Sequence, residues 1–269
     1  MSCIVEILSI GNELLLGNTV NTNASWLSSQ ITSLGGVVTR VTTVRDKMGE
    51  ISRAIRETLQ RGPDFLITTG GIGPTFDDMT LQGVAKALRR RVKLDKEAVR
   101  LIREHYARRF HESIEFTKPR LKMGRIPSGS SPLHNPVGTA PGVSLRVGRT
   151  QVYCLPGVPS EMKAIFRESI SKRIRAKAGG KTFSEKWVKI SGIMESTLAP
   201  IIDRVMSHWA EVYIKSHPRG VEAGGRPCIE LHFSTFSSKP MKGTEAIGCA
   251  LREMKMELRG AGAKVDRYA

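Results

Sequence analysis

The stretch Asp64-Phe65-Leu66-Ile67-Thr68-Thr69-Gly70-Gly71-Ile72-Gly73-Pro74-Thr75-Phe76-Asp77-Asp78-Met79-Thr80 decides how the chain is read. Its apolar start, Phe65 to Ile67, has the length of a buried strand. Two adjacent glycines, a third glycine and a proline then break the run. Past Asp78, the residues Leu81, Val84, Ala85 and Leu88 recur at helical spacing. Strand, glycine turn and helix therefore follow one another, with acids at the helix start. In an open α/β sheet, ligands bind at such places, outside the carboxyl ends of the strands. Glycines let backbone N–H groups come close to a phosphate. A carboxylate beside them can share Mg²⁺ with phosphate oxygens. The same residues also suit a plain tight turn, with Asp77 or Asp78 capping the helix. Better-known phosphate signatures do not fit. Phe76 stands where a dinucleotide fingerprint needs its third glycine, and no Gly-Lys-Ser or Gly-Lys-Thr follows these glycines.

At 269 residues and 40% hydrophobic content, the chain can bury one large core or two modest ones. No apolar run approaches the ~20 residues of a bilayer span. The chain enters a strand-like run at Cys3 without a basic segment before it, so neither a membrane span nor a signal peptide is expected. Cys3, Cys154, Cys228 and Cys249 lie far apart and form no C-x-x-C, as reduced thiols of a cytoplasmic protein would. The histidines show no ligand spacing. The net charge is +17, and residues 86–125 hold fourteen Lys or Arg against five Asp or Glu. Such a surface attracts anions. Aromatic residues are scarce and not interleaved with these bases, which argues for a solvated basic face and against a nucleic-acid groove.

Outward from the glycine turn, Cys3 to Ile10 reads as the first strand, and Gly11 to Gly17 as a turn region with Glu13 at the strand end. Residues 21–31 form a helix behind polar capping residues, and Val37 to Val44 a second strand. Asp46 follows, before an amphipathic helix over Ile51 to Leu59 that it could cap. Glu13, Asp46 and Asp78 thus come from three successive strand ends on one rim. A helix starting at Leu94 to Glu97 would bury Ala98, Val99, Ile102, Tyr106 and Phe110 and carry the basic patch as a flap. Lys118, Arg120 and Lys122 follow in a non-helical piece with Pro119. Asn135 to Gly142 is a loop dense in turn residues. Val143 to Val147 and Gln151 to Leu155 flank Gly148-Arg149 as a hairpin. Leu155 to Met162 then turns into a helix whose N-terminus can face an anion.

This alternation predicts an α/β fold over residues 1–176, a mostly parallel sheet with helices on both faces. After a glycine-rich linker, Ala176 to Lys181, the pattern changes over residues 182–269. Strands at Trp187 to Ile190, Glu211 to Lys215 and Cys228 to Ser234 are interspersed with helices at Glu195 to Met206 and Glu245 to Leu258. The order β-α-β-β-α is a small α+β layer compatible with a KH-like fold, without the GXXG clamp used there for RNA.

The segment Thr68 to Thr80 resembles the signature of the MoaB/MogA molybdopterin-binding domain, in the version found in the CinA (competence/damage-inducible) family. Gly11 to Gly17 with Asn23, then Asp46, Asn135 to Gly142 and Leu155 to Met162 agree in the same order. Gly192 to Leu198 looks like the start of the KH-like middle domain of that family. Phe76 and Asn12 depart from it, standing where members often have His and Asp. The resemblance implies a metal-dependent pyrophosphatase acting on ADP-ribose or a related nucleotide, with Mg²⁺ or Co²⁺ and K⁺, in a homo-oligomer. The family's deamidase domain is not expected in a chain that stops at Ala269. Molybdopterin binding or adenylylation is the first alternative; a non-catalytic nucleotide- or nucleic-acid-binding module is the second.

On that resemblance Asp78 and Asp46 are the catalytic acids, and Asp78 and Glu13 the metal ligands. The N–H groups of Gly70, Gly71 and Gly73 hold phosphate, with hydroxyls from Thr69, Thr75 and Thr80. Pro74 shares this wall, and Asp77 serves the turn or a ribose. Asn12 and Asn23 bind from the first loop. Asn135, Gly138 and Thr139, with Pro156, Gly157 and Pro159, form the opposite wall.

Overall fold

The computed structural model describes residues 3–110, 117–221 and 226–265. They form two compact units that part between Ala178 and Gly179. The first runs β1 (Cys3–Ile10), α1 (Asn12–Leu15), α2 (Thr22–Ser33), β2 (Gly36–Val44), α3 (Met48–Arg61), β3 (Phe65–Thr69) and α4 (Thr80–Ala87). It continues through β4 (Val92–Leu94), α5 (Lys96–Phe110), α6 (Lys118–Met123), β5 (Arg125–Pro127), β6 (Ser131–Leu133), β7 (Gly142–Val147) and β8 (Thr150–Leu155). It closes with α7 (Pro159–Ile165) and α8 (Ser171–Lys177), joined by a π-turn at Phe166–Ile170.

The main sheet has the order β2-β1-β3-β8-β7-β6. Its first four strands are parallel, and β7 and β6 run antiparallel. β3 is central and all of its residues are buried, which is why its sequence is continuous rather than alternating. Parallel pairing brings the ends of β2, β1, β3 and β8 to one edge. Hydrogen bonds continue past those ends: Gly11 N–H donates to Val44 O at 3.1 Å, and Gly70 N–H to Leu155 O at 3.0 Å.

Leu8, Leu66 and Val152 from the sheet meet Ile51 and Ile55 of α3, Leu81 and Val84 of α4, and Ile102 of α5 in one core. The helix α5 is thus a packed element and not a flap. Arg100 lies between Glu97 and Glu104 on that helix, so part of the basic patch is neutralised locally. Of its expected apolar face, the Phe110 side chain lies outside the described residues. Residues 118–123 are helical, against expectation, because Pro119 falls in the first turn, where its missing N–H costs nothing. The short β4–β5 pair brackets α5 and α6; three residues per strand leave no periodicity to detect.

The second unit contains β9 (Thr182–Ser191), α9 (Glu195–His208), β10 (Tyr213–Val221), β11 (Pro227–Ser237), α10 (Pro240–Gly260) and β12 (Lys264–Val265). Its sheet, β10-β11-β9-β12, is antiparallel throughout. Val188, Ile190, Leu231 and Phe233 alternate inward against Leu198 and Val205 of α9 and Ile247 and Met254 of α10. The two-residue β12 turns the expected β-α-β-β-α into β-α-β-β-α-β. That is the split-βαβ order of ferredoxin-like layers.

Candidate functional site

After β3, Gly70 and Gly71 adopt φ of 102° and 67°, the left-handed region that favours glycine. A Cβ on Gly70 would overlap the Ile10 carbonyl oxygen, and one on Gly71 the Thr80 hydroxyl. Packing against β1 and α4 therefore requires these glycines before any ligand does. Gly70 N–H is already given to Leu155, which removes it from the expected phosphate donors. The N–H groups of Gly71, Ile72 and Gly73 have no partner among the described residues. Two of the expected hydroxyl donors are also spent. Thr69 Oγ1 donates to Pro156 O at 2.9 Å and accepts from Asn23 at 3.1 Å, and buried Thr80 Oγ1 donates to Gly70 O at 2.7 Å. Thr75 stays exposed. Its N–H donates to Asp78 Oδ2 at 2.8 Å, and its hydroxyl reaches both Asp77 and Asp78.

Neither Asp78 nor Asp46 caps a helix: Met79 and Lys47 stand at those positions, with no side-chain cap bond. Asp78 staples the turn with Oδ2, and its Oδ1 has no partner among the described residues. Asp46 Oδ2 accepts the Asn12 backbone N–H at 2.7 Å, tying the loop after β1 to the end of β2; Asn12 serves here through its backbone. Burial raises the Asp46 pKa above 3.8, and Glu13, Asp77 and Asp78 raise it further, against the Asn12 hydrogen bond. The rim thus gathers acids from three strand ends into one repelling neighbourhood. Asp77 moves the other way: its hydrogen bond from Thr75 holds it below 3.8, helped by nearby Lys122. Among the described residues, no three His, Cys, Asp or Glu side chains converge as a metal-holding group.

The turn at residues 156–158 crosses close above the glycine turn. A Cβ on Gly157 would lie 3.4 Å from the Gly70 Cα, and Asn23 Nδ2 donates to Gly157 O at 2.7 Å. This saddle divides the edge into two hollows. One, of about 140 Å³, is lined by Glu13, Asn21, Asn23, Gly70 and Pro159 among others. The other, of about 430 Å³, is lined by Gly71, Gly73, Pro74, Asp78, Thr139 and Pro156, with Tyr106, Met123, Val158 and Glu161. Glu13 and Asp78, paired as metal ligands from the sequence, face different hollows. Lys122 and Arg125 flank the glycine turn in a shallow annex, and the Lys122 ammonium reaches the Thr75 carbonyl.

Asn135 is buried and its amide is fully used. Nδ2 donates to Ala140 O at 2.8 Å and Glu161 Oε2 at 2.7 Å, and Oδ1 accepts from the N–H groups of Val137 and Gly138. Its side chain builds the wall of the cleft. Gly138 supplies space, since a Cβ there would overlap the Glu161 carboxyl. The N-terminus of α7 is not the anion site expected: Pro159 has no N–H to offer, and Glu161 occupies the first turn. Glu161, Tyr106, Lys122 and Arg125 went unassigned in the sequence, although Glu161 lay within a motif already singled out.

An open sheet with a polar cleft across the carboxyl ends of its central parallel strands places the protein in the class of α/β ligand-cleft domains. The chain belongs to the family described as probable molybdopterin binding domain, whose model matches residues 6–176. It is similar to the crystal structure of the protein CinA, of unknown function, from Thermoplasma acidophilum. The two are 40% identical with a TM-score of 0.59, over 64% of this chain and 98% of that one. A relative from Metallosphaera sedula is 38% identical over 262 residues, 97% of each chain. Another, from Aeropyrum pernix, is 44% identical over 254 residues, 94% of this chain and 92% of its own. Among the described residues no helix is long and apolar enough to cross a membrane, and Cys3 and Cys154 are buried free thiols.

Proposed function

We propose that the chain is a CinA-like, divalent-metal-dependent pyrophosphatase acting on ADP-ribose or a related nucleoside diphosphate. The observation that carries this reading is the juxtaposition at the glycine turn. Unpartnered N–H groups of Gly71 and Gly73, with Lys122 and Arg125, offer positive character to a phosphate. Asp78 stands beside them, and Asp46 lies within electrostatic reach of Asp78. Asp46, whose pKa is raised by burial and like charge, suits a general base. It takes the proton of an attacking water as the new P–O bond forms and the bridging P–O bond breaks, giving AMP and ribose 5-phosphate.

An all-carboxylate donor set fits a hard divalent cation. Mg²⁺ commonly uses one or two carboxylates and completes its shell with phosphate and water, so the missing three-residue cluster is no misfit. Asp78, with its open Oδ1 in the larger hollow, would hold it; Glu13, in the other hollow, is left out of this set. When bound, such an ion polarises phosphoryl oxygens. The test is product analysis with ADP-ribose, Mg²⁺ or Co²⁺, with and without K⁺. Formation of AMP by wild type and equally by Asp78→Ala sinks the assignment.

A second reading, pterin binding or adenylylation at the same turn, is favoured by the family's own description. Competition between a pterin and ADP-ribose separates the two. Self-association, proposed on the same resemblance, is read by light scattering.

A further inference from the structure

Glu161 is the one charged group of the larger cleft left without a task above. It is positioned rather than neutralised. Asn135 donates to its Oε2 at 2.7 Å, and the bare Gly138 leaves room for its carboxyl. Its Oε1 has no partner, and it forms no ion pair with Lys, Arg or His, among the described residues. Its pKa is pushed up by burial, against the Asn135 hydrogen bond. A carboxylate with no cation beside it repels phosphate and accepts hydrogen bonds from neutral donors. The glycine turn, with its open N–H groups and with Lys122 and Arg125 behind it, has the opposite preference. The larger cleft therefore runs from the glycine turn, which it shares with the basic annex, to a phosphate-rejecting end at Glu161.

We propose that Glu161 is the specificity-determining acceptor for a vicinal diol. A sugar nucleotide then lies with its phosphates on the glycine turn and one ribose hydroxyl pair on Glu161. An acidic side chain on ribose hydroxyls is an established way of recognising nucleotides. The assignment rests on the nucleoside diphosphate reading above and adds to it which part of the ligand is discriminated, and by what.

The test is calorimetric titration of the full chain with ADP-ribose, with ADP, which lacks the terminal ribose, and with 2′,3′-dideoxy-ADP, which lacks every diol. Glu161→Ala weakens ADP-ribose by about tenfold to a hundredfold, the usual worth of a hydrogen bond to a charged group, and leaves 2′,3′-dideoxy-ADP unchanged. A loss shared by ADP places the diol on the adenosine ribose, and one confined to ADP-ribose places it on the terminal ribose; both support the proposal. Glu161→Gln keeps the volume and the Asn135 contact, and shows the same selectivity at smaller size if the alanine variant fails to fold. Equal loss on the dideoxy ligand, no loss on any diol ligand, or a loss confined to a pterin presenting its amino and ring N–H edge overturns it. If wild type neither binds nor cleaves ADP-ribose, the pyrophosphatase reading falls and takes this with it. If wild type cleaves ADP-ribose and Glu161→Ala loses nothing, only the Glu161 assignment falls.

Discussion

The turn after β3 and the loop at residues 135–142 both enter the cleft as irregular chain rich in Gly, Thr, Asn and Pro. In the first, the N–H groups of Gly71 and Gly73 and one oxygen of Asp78 stay open. In the second, Asn135 spends every hydrogen bond it can make on its own loop and on Glu161. Turn composition therefore marks a place for chemistry without saying which groups are still available. Availability is set by partners far along the chain, such as Leu155 for Gly70 and Pro156 for Thr69.

The largest expected effect tests the open wall. Asp78→Asn keeps an acceptor for Thr75 and removes the charge; turnover of ADP-ribose should fall about 10²- to 10³-fold, the cost of losing charge stabilisation at the phosphoryl group, with the melting temperature nearly unchanged. A large loss of stability instead would move Asp78 to the structural side of the comparison.

Next comes Gly70→Ala, which places a Cβ onto the Ile10 carbonyl at a left-handed φ. It should destabilise the fold by about 3 kcal/mol, combining overpacking and backbone strain, in urea denaturation. A neutral result would show that the turn is softer than its packing implies.

Asn135→Ala probes the closed wall. It strands the buried Ala140 carbonyl and unties the N–H groups of Val137 and Gly138, at about 2 kcal/mol in all. If Asn135 instead touched the ligand, the loss would appear in KM with stability intact.

The smallest effect is a difference in sign. Glu161 has its pKa raised above 4.5 by burial, so the stability it contributes is full below that value and is lost as pH rises through the folded pKa. Asp77 has its pKa lowered below 3.8 by Thr75, so its contribution is present above that value and is lost as pH falls through the folded pKa. Urea midpoints should show wild type losing ground to Glu161→Gln between about pH 4 and 7. Against Asp77→Asn, wild type should lose ground only on acidification. Parallel pH profiles would erase the distinction between the walls.

Much of the fold was legible. The apolar run Phe65 to Ile67 in β3 announces a central parallel strand, because both sheet faces are covered and no alternation is needed. The three strand-end acids were legible as a rim for the same reason: parallel strands end on one side. Short elements escaped, since β4, β5, β6 and β12 hold two or three residues each, too few for any period. The alternative of Asp46 and Asp78 as helix caps fails because both have nearer claims, from the Asn12 and Thr75 backbone N–H groups.

The sequence by itself determined the order of the longer elements and the parallel sheet, and singled out the glycine turn as the candidate site. These follow from local periodicity and from the few positions where only glycine tolerates the backbone. Tertiary structure alone decided which polar groups at that site are free, which are consumed, and that Glu161 rather than Asn135 faces the cleft. Those outcomes depend on hydrogen bonds and burial between residues tens of positions apart, which no local pattern encodes.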